Sequence, residues 1–202
     1  MKKLLMTLSF LPLAAMAQDA IEADDIKATP YKNEIGISTG LAPSFFKKYS
    51  GTEVWVTTRL TYLHNMNNTQ LGLILEGSAL PWDDGNIIAT IVLNKKFPVG
   101  KSYFYVGSNA GFYYADAISK SPFNDVKKTG YTLGIQAGLS LHLSNRFSFF
   151  SEIGARSTQY WFEDYYRFER NHWGVKEVEW IRYIDNGFLI SLPGTMGIRY
   201  RF

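Results

Sequence analysis

The sequence predicts an all-β chain, a closed antiparallel transmembrane β-barrel of about eight strands with short turns at one end and longer loops at the other. Three observations predict it. The chain opens on an export signal, apolar and polar residues alternate with period two along most of the remainder, and the connections between these segments are short and long in turn.

The export signal comes first. Lys2 and Lys3 form a positive start, residues 4–15 are uncharged and mostly apolar, and Ala15-Met16-Ala17 is an A-x-A cleavage pattern. This reads as a signal peptide over 1–17, removed after Ala17. The apolar run is too short for a membrane-spanning helix, which needs roughly 20 residues. No Cys follows the cleavage point, so no lipoprotein anchor is expected. Residues 18–32 read as a periplasmic lead-in and 33–202 as the barrel.

Composition agrees. The chain has no Cys, so neither disulfides nor thiolate metal sites are expected, and no cofactor or metal is implied. The formal net charge is +3, two units of which reside in the signal, which leaves no electrostatic case for nucleic acid. Phe 14, Tyr 13 and Trp 5, together with Gly 17, suit strands with interfacial aromatic girdles and a crowded interior.

The strands follow in order. The first sets Ile35, Ile37, Thr39 and Leu41 against Glu34, Gly36, Ser38 and Gly40. The second sets Val54, Val56, Thr58, Leu60 and Tyr62 against Glu53, Trp55, Thr57, Arg59 and Thr61. The third sets Leu71, Leu73, Leu75 and Ala79 against Gly72, Glu76 and Ser78. The fourth, about 87–96, is apolar on both faces, and alternation does not assign its lipid side. The fifth sets Phe104, Val106, Ala110 and Phe112 against Tyr105, Gly107, Asn109 and Gly111. The sixth alternates longest, with Tyr131, Leu133, Ile135, Ala137, Leu139, Leu141 and Leu143 against Thr132, Gly134, Gln136, Gly138, Ser140 and His142. The seventh sets Phe149, Ile153 and Ala155 against Glu152, Gly154, Arg156 and Thr158. The eighth sets Phe188, Ile190, Leu192, Met196, Ile198, Tyr200 and Phe202 against Ser191, Thr195, Gly197, Arg199 and Arg201.

A soluble barrel would point its apolar face inward and its charges outward. Here one face of every assigned strand is nearly free of charge, while the other carries Glu34, Arg59, Glu76, Glu152, Arg156, Arg199 and Arg201 and most of the small residues. A narrow interior is filled by side chains, so the charged face is expected inside as an ion-pair network and the apolar face against lipid. The expected connections are 42–51, Asn67-Asn68, 81–86, 98–101, 116–128, 144–146 and 162–186, with the short ones periplasmic and the longer ones external. A two-residue turn at Asn67-Asn68 sets Tyr62 opposite Leu73, Leu60 opposite Leu75 and Arg59 opposite Glu76. Glu34 and Glu152 are then the expected partners of Arg199 and Arg201, and Arg156 has no assigned partner.

The end of the chain, Thr195-Met196-Gly197-Ile198-Arg199-Tyr200-Arg201-Phe202, resembles the terminal β-signal of outer-membrane barrels, with Thr195, Gly197, Tyr200 and Phe202 in the signal positions. With the alternation, it makes residues 33–202 similar to the small eight-stranded OmpX, Ail and OmpA-transmembrane type of barrel. That resemblance implies residence in the outer membrane of a Gram-negative-type bacterium, contact with its lipid, and the barrel-insertion machinery as a partner during assembly, by edge pairing.

Chemistry-bearing motifs are few. His64, His142 and His172 are too dispersed for a metal cluster. His142-Leu143-Ser144-Asn145, with Glu152 downstream, is similar to the His-x-Ser-Asn of outer-membrane lipid A deacylases, but it is expected at a periplasmic turn rather than on the outer leaflet. The last loop is rich in aromatics and arginine. Its Trp161, Tyr165, Tyr166, Arg167, Arg170, Trp173 and Trp180 form the candidate external binding surface for a protein or lipopolysaccharide ligand, with a hairpin turning near His172-Trp173-Gly174. The expected function is therefore a non-enzymatic structural or surface-binding barrel. A lipid-modifying enzyme and a narrow passive pore are the alternatives.

Overall fold

The computed structural model describes residues 31–46, 52–80, 83–100, 102–117, 126–172 and 175–202. The expected signal peptide, most of the lead-in and Trp173 lie outside them. The described elements are β1 (Asn33–Phe46), β2 (Thr52–Met66), β3 (Thr69–Leu80), β4 (Asp83–Val99), β5 (Ser102–Ala117), β6 (Val126–His142), β7 (Phe147–His172), β8 (Val175–Ser191) and β9 (Gly194–Arg201). From β1 to β8 each strand pairs antiparallel with the next, β9 pairs with β7 and β1, and β1 closes the ring against β8 and β9.

β8 and β9 are two halves of one wall strand. Pro193 has no N–H and interrupts the ladder, yet the register passes through unchanged, with Arg156 opposite Ser191 and Ile153 opposite Gly194. Leu192 N donates to Pro43 O at 2.8 Å and Gly154 N to Pro193 O at 2.8 Å, which keeps both seams shut. The wall therefore has eight strands.

The ladder also fixes the stagger. A row of partners runs from Thr69 through Lys95, Val106, Ala137, Ile153, Gly194, Leu41 and Val56, and returns to β3 at Ala79, ten positions further along. Such a stagger makes the strands tilt, at about 35–45° in barrels of this kind, so every row climbs as it circles.

Alternation in the sequence becomes inside and outside. Ile37, Leu60, Leu73, Ile135, Ile153 and Ile198 are exposed on the outer wall, while Glu34, Arg59, Glu76, Glu152, Arg156, Arg199 and Arg201 are buried in the lumen. The fourth strand acquires its phase: Ile87, Ile91 and Leu93 face out, whereas Ile88, Thr90, Val92 and Asn94 face in. Its double apolarity follows from the interior, where Leu63, Ile74 and Val92 cluster, and Ile88 joins Tyr113, Ala115, Tyr160 and Leu189.

Connections are shorter than expected at the loop end. β1 continues to Phe46, β4 starts at Asp83, β5 reaches Ala117 and β6 starts at Val126. The ladder carries on beyond the alternating segments because paired strands satisfy backbone N–H and C=O groups that an irregular loop would leave to water. Within the expected connection 162–186, the hairpin expected near His172 extends into a long paired ribbon. β7 runs for 26 residues and pairs with β8 up to His172 opposite Val175. Its other neighbour, β6, is last paired at Phe162, and β1 is last paired to β8 at Leu189. From Glu163 onward the two strands therefore form a ribbon, roughly 30 Å long at about 3.3 Å per residue.

At the opposite end Asn67 takes φ 51°, a left-handed conformation that Asn tolerates, and Asn67-Asn68 joins β2 to β3. Tyr62 faces Leu73, Leu60 faces Leu75 and Arg59 faces Glu76.

Candidate functional site in the lumen

The register sets Arg59 and Glu76 side by side, and Arg59 Nε donates to Glu76 Oε2 at 2.6 Å. The same guanidinium reaches across the barrel, Nη1 to Glu152 Oε1 at 2.7 Å. Arg156, to which the sequence assigned no partner, grips Glu76 with two donors, Nη1 at 2.9 Å to Oε2 and Nη2 at 2.7 Å to Oε1. Glu76, 1% exposed, thus lies between two guanidiniums. A carboxylate shielded from water needs such pairing, because a buried charge is costly unless paired and hydrogen-bonded.

Of the expected pairing of Arg199 and Arg201 with Glu34 and Glu152, the Arg199–Glu152 pair is present as a long contact, whereas Arg201 takes neither carboxylate. Arg199 Nη2 is 4.0 Å from Glu152 Oε2, and the closer link passes through a phenol. Arg199 Nη2 donates to Tyr105 Oη at 3.0 Å, and Tyr105 Oη donates to Glu152 Oε2 at 2.8 Å. A second relay runs from Arg199 Nη1 to Tyr103 Oη at 3.4 Å and from Tyr103 Oη to Glu34 Oε2 at 3.2 Å. The Arg199 guanidinium also lies 3.8 Å from the Phe150 ring centroid, a cation–π contact. Arg201, opposite Glu34 in the ladder, turns away to the backbone, where Nη2 donates to Ser144 O at 2.6 Å. Glu34 accepts from Asn65 Nδ2 at 3.2 Å.

Sequence reasoning missed the two tyrosines as charge relays. The signal available was glycine. Tyr105 stands opposite Gly138 and Arg199 opposite Gly36. A Cβ on Gly138 would fall on the Tyr105 ring, and one on Gly36 would meet Arg199 Cγ at 2.8 Å. These large side chains lie down over glycines on the next strand, so an inward Gly beside an inward Tyr or Arg marks where the lumen is filled.

The fill is close. Around Arg59, Asn109, Gln136, Glu152 and Arg156 only about 10 Å³ remains free, the scale of one water. Gln136 ties the layer together, its Nε2 donating to Asn94 Oδ1 at 3.0 Å and to Glu152 Oε2 at 3.2 Å.

The remaining sites are placed as follows. Ser144 Oγ lies in the β6–β7 turn and accepts from Arg146 N at 3.3 Å and Phe147 N at 3.1 Å. The His142 ring packs on Tyr103, its Nδ1 has no partner, and Glu152 is engaged with Arg59 and Tyr105. The His-x-Ser-Asn residues are not brought into a nucleophile–base pair. Thr195 faces the lumen, buried, and Gly197 stands opposite Ser38. Tyr200 and Phe202 stack at 6.2 Å, and Phe202 N donates to Asn33 O at 2.9 Å.

Trp161 belongs to the outer wall rather than to a loop. It is paired with Thr129, exposed, and 5.6 Å from the Tyr131 ring. Tyr165, Tyr166, Arg167, Arg170 and Trp180 occupy the ribbon, opposite Arg182, Ile181, Trp180, Glu177 and Arg167 respectively.

Two solved structures share this architecture. Neisserial surface protein A, 13% identical, matches with a TM-score of 0.58 over 85% of this chain and 97% of that one. The outer membrane protein OprG from Pseudomonas aeruginosa, 14% identical, matches with a TM-score of 0.52 over 85% of this chain and 97% of that one. No protein-family model and no curated protein matches the chain. An apolar outer wall, a charged and filled lumen and these likenesses together give the chain the fold of the small eight-stranded outer-membrane β-barrels.

Proposed function

We propose that the chain is a non-enzymatic barrel of the outer membrane, of the OmpX, Ail and OmpA-transmembrane type, that acts as an anchor presenting the β7–β8 ribbon outside the cell. The Asn67-Asn68 turn, the β4–β5 connection and the 143–146 turn face the periplasm, and the ribbon is the surface for a protein or lipopolysaccharide ligand. Residues 1–17 direct export, and Thr195, Gly197, Tyr200 and Phe202 are read by the insertion machinery. One observation carries the reading. In the middle of the lumen the space beside Arg59, Glu152 and Arg156 is only about 10 Å³, and Glu76 bridges the two arginines, which favours a plug over a passage.

Conductance tests this. Purified protein inserted into planar bilayers is expected to give no steady open-channel current. Arg59→Ala together with Arg156→Ala, which shortens two of the side chains filling the middle, is expected to introduce one. Steady current from the unaltered protein would replace the plug with a pore. The deacylase-like alternative needs Ser144 and His142 joined at the outer leaflet. Unchanged lipid A masses after incubation with the protein would agree with their separation.

A further inference from the structure

The outer wall is not uniformly convex. Across β4, β5, β6 and β7 lies a groove of about 720 Å³, lined almost entirely by apolar surface, within the roughly 300–1,000 Å³ range of small-molecule sites. Two adjacent ladder rows form it, one passing through Lys95, Val106, Ala137 and Ile153, the next through Ser108 and Ala155. Ser108, Ala137 and Ala155 are short where neighbouring outward positions carry Ile and Leu, so the wall is hollow there.

The stagger gives the groove a direction. Its rows start beside Thr69, directly after the Asn67-Asn68 turn, and climb toward the middle of the wall at Ile153. The low end carries a cation. Lys95 is exposed on the outward face of β4, its ladder neighbours Thr69 and Val106 are uncharged, and no ion pair among the described residues includes it. A long ammonium side chain at a barrel rim snorkels to the headgroup level while its methylenes stay on apolar wall.

We propose that this groove seats one anionic glycerophospholipid of the leaflet at the turn end, its phosphate on the Lys95 ammonium and one acyl chain laid along the climbing rows to Ile153 and Ala155. Charge complementarity selects the head and the apolar lining selects the chain. A carboxylate ligand without a long chain would leave the groove unfilled, and a second barrel would have to bury Lys95 against hydrocarbon. The proposal rests on the reading of the outer wall as lipid-facing.

Native mass spectrometry of detergent-extracted protein with added phosphatidylglycerol tests it. The unaltered chain is expected to retain one lipid. Lys95→Gln should lower that occupancy about fivefold, equivalent to ~1 kcal/mol for one cation at an anionic lipid surface. Ala155→Leu, which fills the groove from the outward face, should abolish it. Thr58→Leu, outward on β2 and remote from the groove, should retain the adduct, and heat-dependent gel mobility confirms that each variant is folded. Equal occupancy in all four proteins would overturn the proposal, as would loss in Ala155→Leu with full retention in Lys95→Gln. Failure of the unaltered chain to insert into vesicles would instead overturn the membrane reading beneath it.

Discussion

The ringed wall and the β7–β8 ribbon are made of the same strands, yet they are held in different ways. In the wall each strand has two ladder neighbours, one face on the packed lumen and the other outward. In the ribbon, from Glu163 to His172, β7 has β8 alone. On the lumen side of the wall, charges such as Arg59 and Glu76 are buried in pairs, and these two side chains are 7% and 1% exposed. The described ion pair at the base of the ribbon, Arg182 with Glu163, is 58% and 51% exposed. The same chemistry should therefore matter a great deal in one region and little in the other.

The largest effect is expected at Glu76. Its removal leaves Arg59 and Arg156 without their shared carboxylate, and breaking a buried pair costs about 3–5 kcal/mol. Urea unfolding of the vesicle-inserted barrel should show Glu76→Ala losing stability on that scale. Arg59→Ala with Glu76→Ala should cost less than the two separate losses combined, since the pair is coupled. Additive losses would mean that the two side chains do not interact.

A charge on the outer wall comes next. Leu60, exposed and opposite Leu75, faces the lipid in this account. Leu60→Arg is expected to cost about 2–4 kcal/mol if the site lies near the midplane, read in the same unfolding assay. Thr58→Arg, nearer the loop end, should cost less because the penalty falls toward the interface.

The ribbon should be the mildest. Glu163→Ala removes an exposed ion pair and is expected to change barrel stability by less than about 1 kcal/mol. Deleting 164–183 should leave the barrel's unfolding midpoint nearly unchanged while removing any binding to cells or lipopolysaccharide. A large loss of barrel stability on that deletion would erase the distinction between the two regions.

What was legible in the sequence follows the same division. Alternation fixes inside and outside because a one-residue slip inverts a whole strand, and Arg59 opposite Glu76 follows from one two-residue turn. Arg156 on Glu76 does not follow from any local rule. It depends on side chains crossing the lumen between non-adjacent strands, which is set by ring closure and stagger. The fourth strand hid its phase because its lumen side is apolar too, joining Leu63 and Tyr113. The ribbon was legible as a protruding hairpin, but where wall gives way to ribbon was not, because charges and aromatics at successive positions blur period two while the backbone pairing persists.

The central claim is that the charged face is inside and the apolar face meets lipid. Spin labels placed one at a time along β3 from Leu71 to Ala79 in the vesicle-inserted protein test it most directly. The account predicts collision with oxygen at every second position, highest at Leu71, Leu73 and Leu75, with restricted motion and little access to lipid-phase oxygen at Gly72, Ile74 and Glu76. Outward positions that collide instead with a water-soluble nickel complex along the whole strand would contradict it.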